Sequence, residues 1–278
     1  MNRVGILHTF LLLLIISQYS YAQTNDSFKA HPIMTDKFEI SFGIFFPEET
    51  FKLKINGDTP GDEIDFNSQF DHKNAFATYF FNFGWHFAKR WKLSAEYFGL
   101  DSSYMDELKK DIKFNELVFK KGSFVEIGTG WKLARLYLSY SAVKNLKHEL
   151  GFGLGAHLVR VDAYIEGEVL TNIGDVEFDK SSVKATVPLP NVGIWYLYAP
   201  SNRWLLSMRA DWFALSVSDY GGSLWNLAPG VNYQVLKNLG LGLSYRYFDI
   251  SAKVDQSDWN GQFNLIHKGP LLSVTVNF

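Results

Sequence analysis

The 278 residues include no cysteine, which excludes disulfides, cysteine nucleophiles, zinc–thiolate sites and the acylated cysteine of a bacterial lipoprotein. Neither sign of charge is in excess: 27 Lys and Arg stand against 29 Asp and Glu, a net charge of −2, so a dedicated nucleic-acid binder is not indicated. Beyond the first 22 residues no stretch approaches the ~20 consecutive apolar residues of a transmembrane helix. Aromatic residues, by contrast, are plentiful. The 24 Phe, 14 Tyr and 8 Trp make up 17% of the chain, within an apolar share of 47% that is ample for folding and excludes disorder.

The first 22 residues read as a cleaved secretory signal. Arg3 supplies the positive end, Leu11 to Ile16 the apolar centre, and Ser20-Tyr21-Ala22 the small residues that signal peptidase reads, with cleavage before Gln23. The apolar run is too short for a comfortable membrane anchor. The expected organisation is a signal over 1–22, a short N-terminal periplasmic segment over 23–37, and one domain over 38–278.

That domain is dominated by alternation of apolar and polar residues, the pattern of strands with two different faces. Phe38, Ile40, Phe42 and Ile44 alternate with Glu39, Ser41 and Gly43; Trp204, Leu206, Met208 and Ala210 alternate with Ser207, Arg209 and Asp211. A soluble sandwich would alternate too, so the connections decide. Four are very short, at 88–90, 143–147, 199–202 and 236–238, whereas long polar segments occupy about 56–73, 107–121 and 169–181. Short turns at one end and long loops at the other describe an outer-membrane barrel. Aromatics also gather beside the short turns, among them Trp85, Phe87, Trp91, Trp195 and Trp204, as an interfacial girdle requires. Finally, Leu272, Val274, Val276 and Phe278 alternate strictly with Ser273, Thr275 and Asn277, and the ending on Phe resembles the C-terminal signal by which such barrels are recognised for assembly.

Four short turns with both chain ends on the periplasmic side imply ten antiparallel strands in an all-β, up-and-down transmembrane barrel, over 38–55, 74–88, 91–106, 122–142, 147–168, 182–198, 203–218, 223–236, 239–255 and 259–278. Twelve result instead if the first strand breaks into a hairpin at Pro47. The alternation changes phase near Leu133-Ala134, Leu158-Val159, Pro188-Leu189-Pro190 and Lys268-Gly269-Pro270, and the two proline sites are expected to be bulges or kinks. Asn56-Gly57 and Gly221-Gly222 suit tight turns with positive φ.

The run Asp219-Tyr220-Gly221-Gly222-Ser223-Leu224, with Gly230-Val231-Asn232-Tyr233, Gly240-Leu241-Gly242, Tyr245-Arg246-Tyr247-Phe248-Asp249, Phe45-Phe46-Pro47 and Gly269-Pro270-Leu271-Leu272, resembles uncharacterised Gram-negative outer-membrane β-barrel proteins, distantly similar to small OmpA- and OmpW-like barrels. The resemblance spans nearly the whole mature chain. It implies location and fold, and it brings no catalytic residue.

The residues carry little catalytic chemistry. Outer-membrane lipid hydrolases resemble one another in placing Ser two residues after His on a strand. Here the residue two after each of His31, His72, His86, His148, His157 and His267 is Ile, Asn, Ala, Leu, Val or Gly. Ten-stranded omptin proteases use an Asp pair and an Asp-x-His, and no Asp-x-His occurs. The chain is therefore expected to be non-enzymatic, a lipid- or peptide-cleaving enzyme being the alternative, with no catalytic residue, metal or cofactor assigned.

The expected inward polar set is Glu39, Thr78, Asn82, His86, Lys92, Glu96, Arg135, His157, Arg209, Asp211, Gln234 and Arg246. These form either a salt-bridged plug, the favoured reading in a lumen that side chains largely fill, or the lining of a narrow solute path or ligand site. Glu96 and Arg135 on neighbouring strands, with Arg209, Asp211 and Arg246, are expected to form ion pairs or a hydrogen-bonded network; truncating Arg135 or Arg209 to Ala should then loosen the barrel and raise its conductance. Asp58, Asp62, Glu63, Asp65, Glu166, Glu168, Asp175, Glu177 and Asp179 read as a solvated acidic rim in preference to a Ca²⁺ or lipopolysaccharide-bridging site, and Lys109, Lys110, Lys113, Lys120 and Lys121 as a solvated hairpin. Expected partners are outer-membrane lipid, lipopolysaccharide and the barrel-assembly machinery, and no nucleic acid.

Overall fold

A computed structural model describes residues 29–56, 64–65, 77–108, 111–114, 117–170, 176–217, 220–255 and 260–278. The signal segment, Gly57 of the expected Asn56-Gly57 turn, Asp58, Asp62, Glu63 and Asp175 of the acidic rim, and Lys109 and Lys110 of the lysine run lie outside the described residues.

Ten strands form one closed antiparallel ring. In chain order they are β1 (Phe38–Phe45 continued by Glu48–Asn56), β2 (Thr78–Ala88), β3 (Trp91–Glu107), β4 (Phe124–Lys144), β5 (His148–Leu170), β6 (Val176–Tyr198), β7 (Trp204–Val217), β8 (Tyr220–Leu227 continued by Gly230–Leu236), β9 (Leu239–Asp255) and β10 (Asn260–Asn277). Each strand pairs with its sequence neighbours, and β1 closes the ring on β10 through Ile40↔Val276, Phe42↔Val274 and Ile44↔Leu272. The break at Phe46-Pro47 makes no hairpin, because both halves of β1 continue along β10 in one register, from Phe45↔Leu271 to Glu48↔Lys268. The ring has ten strands, as its short turns imply.

The two proline sites hold no bulge. The β5–β6 ladder runs unbroken from Leu170↔Val176 to His148↔Tyr198 through Pro188 and Pro190, and the β9–β10 ladder runs unbroken through Pro270. What the prolines alter is the other edge of β6. Pairing of β6 with β7 covers only Val192–Tyr198 against Leu206–Trp212. Pro188 and Pro190 sit where that ladder would continue, and a nitrogen without hydrogen cannot extend it. Gly221 and Gly222 also depart from expectation. They lie within β8, opposite Lys253 and Ala252, and neither has positive φ. The missing side chain serves packing, since a Cβ on Gly222 would lie 3.3 Å from the Leu189 side chain that crosses from β6.

The changes of phase in the sequence are real, although the register behind them never shifts. On β4, up to the register shift at Ser141/Val143, the odd-numbered residues face inward: Ser141, Ser139, Tyr137 and Arg135 toward the periplasm, then Leu133, Trp131, Ile127 and Val125 farther out. The outward set changes in the opposite sense, from Leu138 and Leu136 to Lys132. Where the wall meets lipid its outer face is apolar; beyond the membrane the outer face meets water and the inner face takes the apolar side chains. Strands of up to 23 residues, against the ~9–11 that cross a bilayer, carry the barrel into that second environment. The resulting core includes Phe45, Phe98, Phe119, Trp131, Leu133, Val159, Leu189, Leu224, Phe248, Ile250 and Leu265. Phe98 meets Phe45 and Trp131 edge to face at 5.9 and 5.3 Å.

A short helix, α1 (Pro32–Thr35), spans the periplasmic mouth. Ile33 and Met34 pack against Leu197, Ala199 and Leu205 on one side. On the other, Asp36 accepts a hydrogen bond from Asn277 Nδ2 at 2.6 Å, and its carbonyl lies 2.7 Å from His86 Nδ1.

Candidate functional site: a charged layer above a periplasmic chamber

The inner wall of the membrane-embedded half presents polar residues at every second position, so side chains from distant strands converge on one axis. Two layers result. Nearer the periplasm, Lys92 Nζ binds Glu39 Oε2 at 2.7 Å, and Asn82 donates to the same carboxylate at 3.3 Å. His86 joins this layer through its contact with the Asp36 carbonyl. Gln234 bonds Asn277 Oδ1 at 2.8 Å close to the mouth. Thr78, at the far end of β2, donates to the Gly99 carbonyl.

The second layer closes the lumen. Glu96 from β3 receives Arg209 Nη2 and Arg246 Nη2, both at 3.1 Å, from β7 and β9 across the barrel. Arg135 from β4 reaches Asp211 on β7 at 3.0 Å, and Asp211 also accepts from Asn226 at 2.9 Å and faces Arg209 Nε at 3.4 Å. Glu96 and Arg135 stand directly opposite each other in the β3–β4 ladder, yet each takes its hydrogen-bonded partner across the lumen. The pairing expected between those neighbours is thus exchanged for cross-barrel pairs, which tie together strands that share no backbone hydrogen bond. Guanidinium groups also stack on aromatic rings, Arg246 over Phe80 of the apolar core at 4.9 Å and Arg135 over Tyr137 beside the chamber at 4.1 Å.

His157 lies just beyond this layer, opposite Arg135 in the β4–β5 ladder. It is fully buried, packs against Phe248, and neither ring nitrogen has a hydrogen-bond partner among the described residues. His267 is buried likewise, against Trp131 at 4.0 Å. His148 faces the Tyr196 hydroxyl at 2.7 Å and His31 accepts from the Ile33 N–H. Among the described residues, therefore, no histidine is hydrogen-bonded to a serine or a carboxylate. Nor is there a group of three or more His, Asp or Glu placed to hold a metal ion among them. In the described part of the rim Lys180 pairs with Glu166 at 2.8 Å, and in the lysine hairpin Lys120 pairs with Asp111 at 3.0 Å.

Between the charged layer and α1 lies a chamber of about 230 Å³, bordered by Ser94, Ser207, Asn232, Ser244 and Trp195 as well as the arginines. Leu272, Val274, Val276 and Phe278 point away from it, exposed on the outer face, with the Phe278 ring 5.5 Å from Phe38 across the closing seam. The chamber, Tyr137 beneath Arg135 on the same strand, Asn226 beside Asp211 in the β7–β8 ladder, and the apolar outer half were not legible from the polar inward residues alone. The signal that points to the last is the inversion of polarity at constant period.

No protein-family model matches the chain, and no curated protein does. Solved structures do. Outer membrane protease OmpT from Escherichia coli superposes with a TM-score of 0.58 at 11% identity, over 92% of this chain and all of that one. The Pseudomonas putida toluene transporter TodX matches at 0.40 with 8% identity over 90% and 93% of the two chains, and the attachment invasion locus protein Ail of Yersinia pestis at 0.31 with 10% identity over 85% and 99%. The fold is that of a Gram-negative outer-membrane β-barrel.

Proposed function

We propose that this chain is an integral, non-enzymatic protein of the outer membrane whose barrel is closed to solutes. One observation carries the reading: the lumen is crossed first by the Glu96–Arg209–Arg246 and Arg135–Asp211 ion pairs and then by a packed apolar core. Water and ions have no polar path through side chains packed at the density of a protein interior. The exposed outer-face residues, such as Phe42, Leu154, Ile194 and Leu241, together with the girdle aromatics Trp85, Phe87, Trp91 and Trp204, support insertion in lipid; Trp195, expected in that girdle, turns into the chamber instead. Protein recovered from membranes should migrate anomalously when unboiled; unchanged migration with recovery in the soluble periplasmic fraction would overturn the location. In planar bilayers the refolded protein should give no conductance steps, and discrete openings would overturn the closure.

OmpT is a protease by its name, which raises peptide cleavage as a second reading. Among the described residues no histidine is bonded to a serine hydroxyl or a carboxylate, His86 meeting only the Asp36 backbone carbonyl, which speaks against it. Peptide, phospholipid and lipid A incubated with refolded protein should all remain intact.

A further inference from the structure

The charged layer does not neutralise itself. It holds three guanidinium groups, from Arg135, Arg209 and Arg246, against two carboxylates, from Glu96 and Asp211. The other charged groups bordering the chamber are already matched, Lys92 with Glu39 at 2.7 Å and Lys144 with Glu149 at 3.3 Å. Arginine does not shed its proton in a protein, so the layer keeps one uncompensated positive charge. The distribution of exposure sets where that charge is felt. Glu96 and Asp211 are 2% and 0% exposed, and Arg135 is 1% exposed, whereas Arg209 and Arg246 keep 19% and 12% of their side-chain surface open. Both arginines border the chamber. The chamber therefore meets mainly the cationic face of the layer: Glu96 borders it too but is almost wholly covered, and Asp211 does not border it.

We infer that the chamber is a binding site for a small anion of single charge, a carboxylate or a halide, admitted from the periplasmic side and seated on Arg209 and Arg246. Fixed positive charge in a confined, low-dielectric space attracts a counter-ion far more strongly than it would in bulk water. Guanidinium groups suit a carboxylate in shape as well as charge, and the hydroxyl and amide groups of Ser207, Ser244 and Asn232 border the same space to complete its hydrogen bonds. The apolar core bars the extracellular route, so any exchange passes α1 at the periplasmic mouth. The site is compatible with a barrel that conducts nothing, because the anion enters and leaves by the same opening.

The test is titration of refolded protein in uncharged detergent with acetate, formate or chloride, at ionic strength held constant with gluconate, a larger anion. Trp195 borders the chamber and reports by fluorescence; the melting temperature gives a second readout. The expected result is a saturable response to the small anions. Arg246→Gln should weaken it by about tenfold or more, the loss expected for one charge-assisted contact. Ser207→Leu, which fills the chamber and leaves every charge in place, should weaken it as much while the protein still melts cooperatively, so a folding defect in the arginine variant cannot carry the result. No saturable response in the parent protein, or a response that Ser207→Leu leaves unchanged, would overturn the site. Bilayer recordings separate this from the closure of the barrel, which they test without reference to anions.

Discussion

Replacing Arg135 by Met removes a charge from the most buried ion pair among the described residues, where Arg135 and Asp211 are 1% and 0% exposed at 3.0 Å. With an effective dielectric of about 20, two unit charges at that distance attract by about 5 kcal/mol, part of which offsets their desolvation. Breaking such a pair from one side leaves the other charge stranded and costs about 3–5 kcal/mol. Asp211 retains Asn226 at 2.9 Å and Arg209 Nε at 3.4 Å, which places the expected loss at the low end, about 3 kcal/mol. Asp211→Leu in the Arg135→Met background removes the stranded carboxylate and should recover most of that loss. The assay is urea unfolding of the refolded barrel in lipid vesicles, followed by tryptophan fluorescence. A single variant less than about 1 kcal/mol below the parent, or a double variant no more stable than the single, would refute the reasoning. Neither variant should raise conductance. The sequence predicts that truncating Arg135 or Arg209 loosens the barrel and raises conductance; with the apolar core as a second barrier beyond the charged layer, the loosening is expected without the conductance.

Phe98→Ala should cost about 3–5 kcal/mol by the same unfolding assay, because Phe98 is held edge to face between Phe45 and Trp131 at the base of the core. Gly269→Ala should impair assembly, seen as loss of the fast-migrating unboiled band, since its Cβ would collide with the Phe46 carbonyl where the two halves of β1 meet. Burial pushes the His31 imidazole from its ordinary 6.5 down to about 4, against the pull of the Arg203 backbone and the Glu39 and Asp36 carboxylates. The folded state thus favours neutral His31, which accepts the Ile33 N–H at the start of α1. Its contribution is complete above about pH 6.5 and is lost as pH falls from there toward 4. Amide exchange over residues 29–37 should accelerate across that window, and His31→Asn, which caps a helix without titrating, should abolish the pH dependence.

The ten strands were legible in the chain because period-two alternation and turn length are local properties, each encoded in residues next to one another. Ile40, Phe42 and Ile44 declare a lipid-facing strand face without reference to any partner, and the short connections at 88–90 and 236–238 declare which strands are hairpins. The polar inward residues could be named for the same reason. Their partners could not. Glu96 and Arg135 are ladder neighbours, so proximity along the wall predicts their pairing, yet the side chains extend across a lumen narrow enough for Glu96 to meet Arg209 and Arg246 from the far side. Pro188 and Pro190 look like a kink in isolation; only the surrounding ladders reveal that they end the pairing with β7 and leave that with β5 whole. The inversion of polarity along β4 likewise reads as a slip in phase until the register proves continuous. Sequence alone determined which residues share a face, since that follows from backbone geometry. Tertiary structure decided what each face meets, because lipid, water, lumen and core are arranged by the closure of the whole ring.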